Sequence, residues 1–122
     1  MVKKKIVGVI ENVKLSGKKT VSVLALMDSG AFLTSMDTKL AKRAGFGPPH
    51  RTTTVKNPSL HEKIKRPVVE GVIEIAGRKF VAEINLQDRS HMNFPLIIGR
   101  NILCGNFIID PEKNFDLLKR KK

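Results

Sequence analysis

The sequence predicts a mainly β fold in one domain covering residues 1–122, with one or two short helices, and three observations predict it. Val- and Ile-rich alternation runs through "KIVGVIENVKL", "KTVSVLALM", "RPVVEGVIEIAG", "RKFVAEINL" and "NFIID". The small pairs Ser16-Gly17 and Ala76-Gly77 separate neighbouring runs in the manner of hairpin turns. Helix punctuation marks only two short stretches, "DTKLAKRAG" and "GRNILCG".

Taken in order, "KKKIVGVIENV" reads as a first strand. It is not a secretion signal, because Glu11 and Asn12 interrupt its apolar stretch and no small-residue cleavage site follows. The first helix has Asp37 as its N-cap and Gly45 as its C-terminal stop; the second lies between Gly99 and Gly105. Residues 47–66 hold Pro48, Pro49, a Thr triplet, Pro58 and many charges, so they are expected to form an exposed, flap-like excursion outside the core. The basic tail at 117–122 is expected to be mobile.

Charge narrows the partners. Lys and Arg number 23 against 11 Asp and Glu, a formal net charge of +12, which favours association with something acidic. With no Trp and no Tyr, base stacking is poorly served, so nucleic acid is not the favoured partner although phosphate binding stays open. The single cysteine, Cys104, cannot form an internal disulfide, and no long apolar span is present. Those features predict a cytoplasmic protein with no membrane association.

The informative stretch is "VLALMDSGAFLTS". An apolar strand runs into Asp28, whose carboxylate is desolvated unless something compensates, and Ser29, Gly30 and Ala31 behind it let backbone amides come close. On its own, Asp-Ser-Gly is ordinary turn punctuation. Seventy-one positions after Asp28, however, "FPLIIGRNIL" supplies a hydrophobic run closed by Gly99. Together the two stretches resemble the catalytic loop of retropepsin-like aspartic proteases and the segment that threads beside it. From about Val21 to Pro111 the chain is similar to the group labelled "ATP-dependent zinc protease", whose genes often accompany ATP-grasp glutamate ligases.

The resemblance implies a closed barrel and an aspartic endopeptidase that trims acidic, glutamate-rich tails, possibly ribosomal ones in that group. It assigns catalysis to Asp28 with Ser29 and Gly30. It assigns substrate contacts to Ala31, Arg89, His91 and Ile98, and a substrate-covering role to the 47–66 excursion. Arg89 and His91 suit substrate carboxylates; an ordinary surface pair of Asp88 with Arg89 is the other reading. Since the chemistry needs two carboxylates around one water and the chain offers one Asp-Ser-Gly, a homodimer is expected. The alternative is a non-catalytic module of the same fold that grips acidic protein or RNA.

Two features depart from the relatives. Retroviral members carry an acidic residue where this chain has Phe32, so Arg100 needs another partner, with Asp37 and Asp110 as candidates. Neither cofactor in the group's label is supported. "SGKKT" lacks the earlier glycine and the hydroxyl residue of a phosphate-binding loop; "HEKIK" offers His61 and Glu62 but Lys65 where a second ligand is needed; and His50, His91 and Cys104 show no ligand spacing. No cofactor and no metal are expected.

Overall fold

The computed structural model describes residues 3–57 and 62–117. Among these residues the elements run β1 (Lys5–Val7), β2 (Ile10–Ser16), β3 (Thr20–Met27), β4 (Thr34–Asp37), α1 (Thr38–Ala44), β5 (Arg51–Asn57), β6 (Glu62–Ile75), β7 (Arg78–Gln87), β8 (Leu96–Ile98), α2 (Arg100–Leu103) and β9 (Phe107–Ile109). Six of the strands close into a barrel in the order β2-β3-β8-β4-β7-β6, with β6 returning to β2. Closure removes the sheet edges that would otherwise be open to pairing with another chain. The inward residues, among them Val13, Leu15, Ala25, Met36, Ile73, Ile75, Ile84, Leu96 and Ile98, form one buried cluster.

The stretch expected as a first strand is two strands. Gly8 passes so close to the chain end that a Cβ there would lie 2.2 Å from the Lys113 carbonyl oxygen, and its amide donates to the Glu11 carboxylate at 2.7 Å. The chain turns at this point. Lys5–Val7 therefore pairs in parallel with β9, while Ile10–Ser16 enters the barrel. The two predicted hairpin turns are present, and at the second one Ala76 and Gly77 adopt φ of 50° and 81°, the left-handed pair a tight turn between β6 and β7 demands.

Helix α1 ends at Gly45 with φ 71° and buries Leu40, Ala41 and Ala44. Asp37 stands at its N-cap position, yet its side chain makes no capping bond. Residues 47–66 hold more regular structure than the prolines suggest: β5 pairs with the first half of β6 from Arg51↔Val68 to Asn57↔Glu62. The β-branched run Thr52-Thr53-Thr54-Val55 explains the strand. The hairpin tip at 58–61 and the tail at 118–122 lie outside the described residues. Among the described residues no helix is long and apolar enough to cross a membrane.

Candidate active site

Asp28 follows the last residue of β3, and the neighbouring strand there is β8, parallel, with Met27 beside Ile98. Its amide donates to the Ile98 carbonyl at 2.9 Å, fixing the loop onto the barrel. Its Oδ1 accepts the Gly30 amide at 2.9 Å, and its own carbonyl accepts the Ala31 amide at 3.2 Å. The small residues behind the aspartate thus allow the turn in which its half-buried carboxylate is met by a backbone donor.

The returning chain threads against the same loop. Arg100 N–H donates to the Ala31 carbonyl at 2.8 Å, and Gly99 N–H donates to the Thr34 hydroxyl at 3.1 Å. Thr34 in turn donates its amide and its hydroxyl to Asn101 Oδ1, each at 2.9 Å, and Asn101 Nδ2 reaches the Glu83 carbonyl at 2.9 Å. Gly99 is required by space: a Cβ on it would lie 2.5 Å from the Leu33 carbonyl carbon.

A cleft of about 470 Å³ opens beside this loop. Gly30 to Leu33 form one wall, Thr53 to Val55 and Arg66 of the β5–β6 hairpin form the other, and Ser35, Asn85, Gln87 and Ile97 also line it. The polar trio is internally bonded: Ser35 Oγ donates to Asn85 Oδ1 at 2.7 Å and Gln87 Nε2 donates to Ser35 Oγ at 2.9 Å. Sequence reasoning missed it. The available signal was Asn85, an amide inside the buried run Ile84-Asn85-Leu86, where an unpartnered polar group is costly.

Two cations stand close to the cleft. Arg66 is half-buried, and burial lowers its pKa. Arg89 is only 8% exposed; burial lowers its pKa, the positive charge of Arg66 lowers it further, and Asp28 and Asp37 act in the opposite direction. The Arg89 amide donates to Asp37 Oδ1 at 2.8 Å and its Nε donates to the Phe94 carbonyl at 3.0 Å. Buried in this way, Arg89 is not half of a surface pair with Asp88. Asp88, the expected surface partner, instead accepts the Ser90 amide at 2.9 Å and hydroxyl at 2.6 Å, and those bonds hold its carboxyl below the usual range. His91 is exposed on the same loop. Ile98 is fully buried in the core, and the residue before it, Ile97, lines the cleft.

The candidates for the partner of Arg100 are both otherwise engaged: Asp37 accepts from Arg89, and Asp110 Oδ1 accepts the Glu112 amide at 3.0 Å. The Arg100 guanidinium carbon lies 6.0 Å from the centroid of the Phe32 ring, and Nη1 makes a long 3.5 Å contact with the Ser29 carbonyl. Phe32 itself is 75% exposed. A cation over a ring thus takes the place of the ion pair expected with Asp37 or Asp110.

The base of the hairpin is tied to the barrel by one carboxylate. Glu83 accepts Arg51 Nε at 2.7 Å and Nη2 at 2.9 Å, and His50 Nε2 lies 2.9 Å from it. These partners, Arg51 first, hold the Glu83 pKa at about 2. Glu83 also sits directly opposite Glu70 in the β6–β7 ladder, a like-charge pairing that the Arg51 fork offsets.

Zinc does not fit the described residues. His50 is engaged by Glu83, His91 and Cys104 are exposed in separate places, and no group of three or more His, Cys, Asp or Glu side chains among them could hold a metal ion. His61 lies outside the described residues.

Comparison with known proteins agrees with the fold. A protein of unknown function from Legionella pneumophila, Lpg0085, superposes with a TM-score of 0.64 at 23% identity, covering 89% of this chain and 95% of that one. The protease of a simian foamy virus superposes with a TM-score of 0.55 at 19% identity, covering 75% of this chain and 87% of that one. Two curated relatives, each named "Probable alpha-L-glutamate ligase", match from Shewanella pealeana, at 30% identity over 56 residues, and Shewanella halifaxensis, at 30% over 53. The matched stretch is 46% and 43% of this chain but only 12% of either ligase. The family model for the retropepsin-like aspartic endopeptidase RimB matches residues 36–120, beginning after the Asp28 loop. With most of its length matched and a closed six-stranded barrel around the two threading loops, the chain belongs to the RimB-like family of retropepsin-like aspartic endopeptidases.

Proposed function

We propose that the chain is an aspartic endopeptidase that works as a homodimer and cuts acidic, glutamate-rich peptide tails. The observation that carries this reading is the setting of Asp28. A half-buried carboxylate is pinned through Oδ1 by the Gly30 amide, on the loop whose following residues, Gly30 to Leu33, line a cleft that has Arg66 in its wall, and Arg89 lies within electrostatic reach.

Cleavage of this type places a water between two carboxylates. One takes a proton from the water while the other protonates the substrate carbonyl; the proton taken from the water then passes to the leaving nitrogen as the C–N bond breaks, and the diol hydroxyl returns its proton to the second carboxylate. Like charges that close cannot both ionise, so the pair holds a single proton. One chain contributes one such carboxylate, and a twofold axis supplies the partner's Asp28. Ser29 and Gly30 keep the two loops small enough to meet, and the Ser29 hydroxyl is free to bond across the axis in the dimer.

Acidic substrates follow from the cations. Arg66 is the charge on the cleft wall itself; Arg89, held from behind by Asp37 and Phe94, adds positive potential without leaving its bonds. Ala31 and Ile97 form apolar wall, and Ser35, Asn85 and Gln87 offer amide and hydroxyl groups to a peptide backbone. His91 stands exposed beyond them. That a stretch resembling this chain occurs within proteins named for glutamate ligation makes a glutamate polymer the natural candidate.

The family match leaves out Asp28 to Ala31, and that favours keeping one second reading, a non-catalytic module that grips acidic chains. Incubation with oligoglutamate and with a glutamate-extended peptide, followed by mass spectrometry, separates the two. The wild type should shorten both, with activity falling more steeply than enzyme amount on dilution, and Asp28→Asn should bind without cutting. Undiminished cleavage by Asp28→Asn ends the aspartic mechanism; binding without cleavage by the wild type establishes the module.

A further inference from the structure

The cleft engages few of the chain's cations, and a second group gathers at the other end of the barrel. The β2–β3 turn is docked onto the end of α1: Lys18 N–H donates to the Gly45 carbonyl at 3.3 Å and Lys19 N–H to the Ala44 carbonyl at 3.1 Å. The fit is tight enough that a Cβ on Gly17 would lie 2.4 Å from the Ala44 oxygen. Docking brings Lys18 and Lys19 beside Lys42 and Arg43 of the helix's last turn. All four are exposed, and the ion pairs among the described residues, both made to Glu83, do not involve them. Acid is nearby but to one side: Glu70 lines the shallow groove next to Gly17 and Gly45.

Cations in a last helical turn are commonly explained by the helix dipole. That explanation is weak here. Terminal carbonyls already accept backbone donors, Lys42 O from Gly45 and those of Ala44 and Gly45 from the turn, and Lys18 and Lys19 are not helical at all. Strand β3 separates this tip from Asp28; its eight residues, at ~3.3 Å each, put the two roughly 25 Å apart. A ligand on the tip therefore leaves the cleft open.

We propose that this tip, Lys18, Lys19, Lys42 and Arg43, is a docking surface for the phosphate backbone of duplex nucleic acid. A duplex presents phosphates at fixed spacing, so four cations fixed on one rigid tip meet them together without ordering a flexible partner. A chain with no Trp and no Tyr contacts phosphates rather than bases, which makes the surface indifferent to sequence. An acidic peptide is the less favoured ligand, since it must be ordered on the tip and is drawn to the half-buried cations of the cleft.

The test compares the wild type with a variant carrying Lys18→Ser, Lys19→Ser, Lys42→Gln and Arg43→Gln, and with a control of equal charge carrying Lys3→Ser, Lys4→Ser, Lys14→Ser and Lys79→Ser. Fluorescence anisotropy with a labelled RNA duplex and a DNA duplex of the same sequence is read over a salt series. The tip variant should lose at least tenfold in affinity, and its log–log salt slope should fall by about 3–4, near 0.9 for each lost phosphate contact. The control should keep most of both, and both variants should hydrolyse a glutamate peptide as the wild type does. A loss confined to one duplex supports the surface and names its source. Equal losses in tip variant and control overturn it, as does a tip variant that loses affinity for oligoglutamate while keeping it for both duplexes. Because binding is read without cleavage, failure here is distinct from failure of the peptidase reading.

Discussion

The Asp28 loop and the β5–β6 hairpin face each other across one cleft and are anchored in different ways. The loop is held by backbone: Asp28 to Ile98, Arg100 to Ala31, and Gly99 in space that only a glycine fits. The hairpin pairs with the barrel through β6 alone, and the side-chain tie at its base is one exposed carboxylate, Glu83, gripped by Arg51. The proposed peptidase site, which keeps a carboxylate in place while admitting a peptide, is served by this division, with a fixed floor under a wall whose tie can loosen.

The floor should break hardest. Gly99→Ala sets a methyl group against the Leu33 backbone, which has no rotamer to yield, so it is expected to cost about 3 kcal/mol, at the upper end of overpacking effects, and to abolish peptide hydrolysis. Gly47→Ala is the internal control, since a Cβ there meets nothing within 4 Å and the change should stay within about 0.5 kcal/mol. Denaturant unfolding of both variants checks the pair. Similar midpoints would show that the two threading segments separate easily.

The wall should respond more gently and with a particular pH signature. Glu83→Gln removes the charged grip on Arg51 but leaves the Glu83 backbone carbonyl to receive Asn101, so global stability should hardly move at neutral pH. Amide exchange over Thr52 to Val55 should quicken, and KM for acidic peptides should rise by more than kcat falls. Because the folded pKa of Glu83 is depressed to about 2 from 4.5, its contribution is fully present above 4.5 and is lost as pH falls towards 2. The wild-type hairpin should therefore loosen across that window, and the Gln variant should lack that part of the acid response. Identical exchange profiles in the two proteins would show that Glu83 does not hold the hairpin.

The same contrast explains what was legible in the sequence. Asp28, Gly30 and Gly99 answer local demands: a carboxylate at the end of an apolar strand needs a donor, and close threading needs a missing side chain, so their residue types announce them. The hairpin turns and α1 follow equally local rules. Long-range register is different. Asp37 has the residue type and position of an N-cap, but β4 runs parallel to β7, and the partner it meets is the Arg89 amide just past Gln87. The same pairing sets Ser35 beside Asn85 and builds the cleft's polar trio, which no periodicity within either strand encodes. Strand β5 was hidden for a compositional reason, its Thr-rich run being bracketed by prolines that belong to the flanking chain.

The smallest effect is expected at Phe32. Phe32→Asp exchanges a cation over an aromatic ring, worth about 0.5–1 kcal/mol when exposed, for a surface ion pair with Arg100 worth about 0.2–1 kcal/mol. Phe32 is 75% exposed, so little apolar burial is lost in the single chain. The unfolding free energy of a dilute, monomeric sample should change by less than about 0.5 kcal/mol. The informative reading is concentration dependence. Phe32 lies four residues from Asp28, on the loop that the proposed twofold axis must bring against its copy, and a large aromatic ring left open there suits the fully desolvated centre of an interface. Asp at that position buries a charge in the dimer that it leaves in water in the monomer. Hydrolysis per enzyme should then fall at a higher protein concentration in the variant than in the wild type and recover when both are concentrated, while monomer stability stays flat. If the two proteins instead lose activity over the same range of dilution, the ring makes no contact across the axis, and the Phe32–Arg100 pair serves only to hold the loop of its own chain.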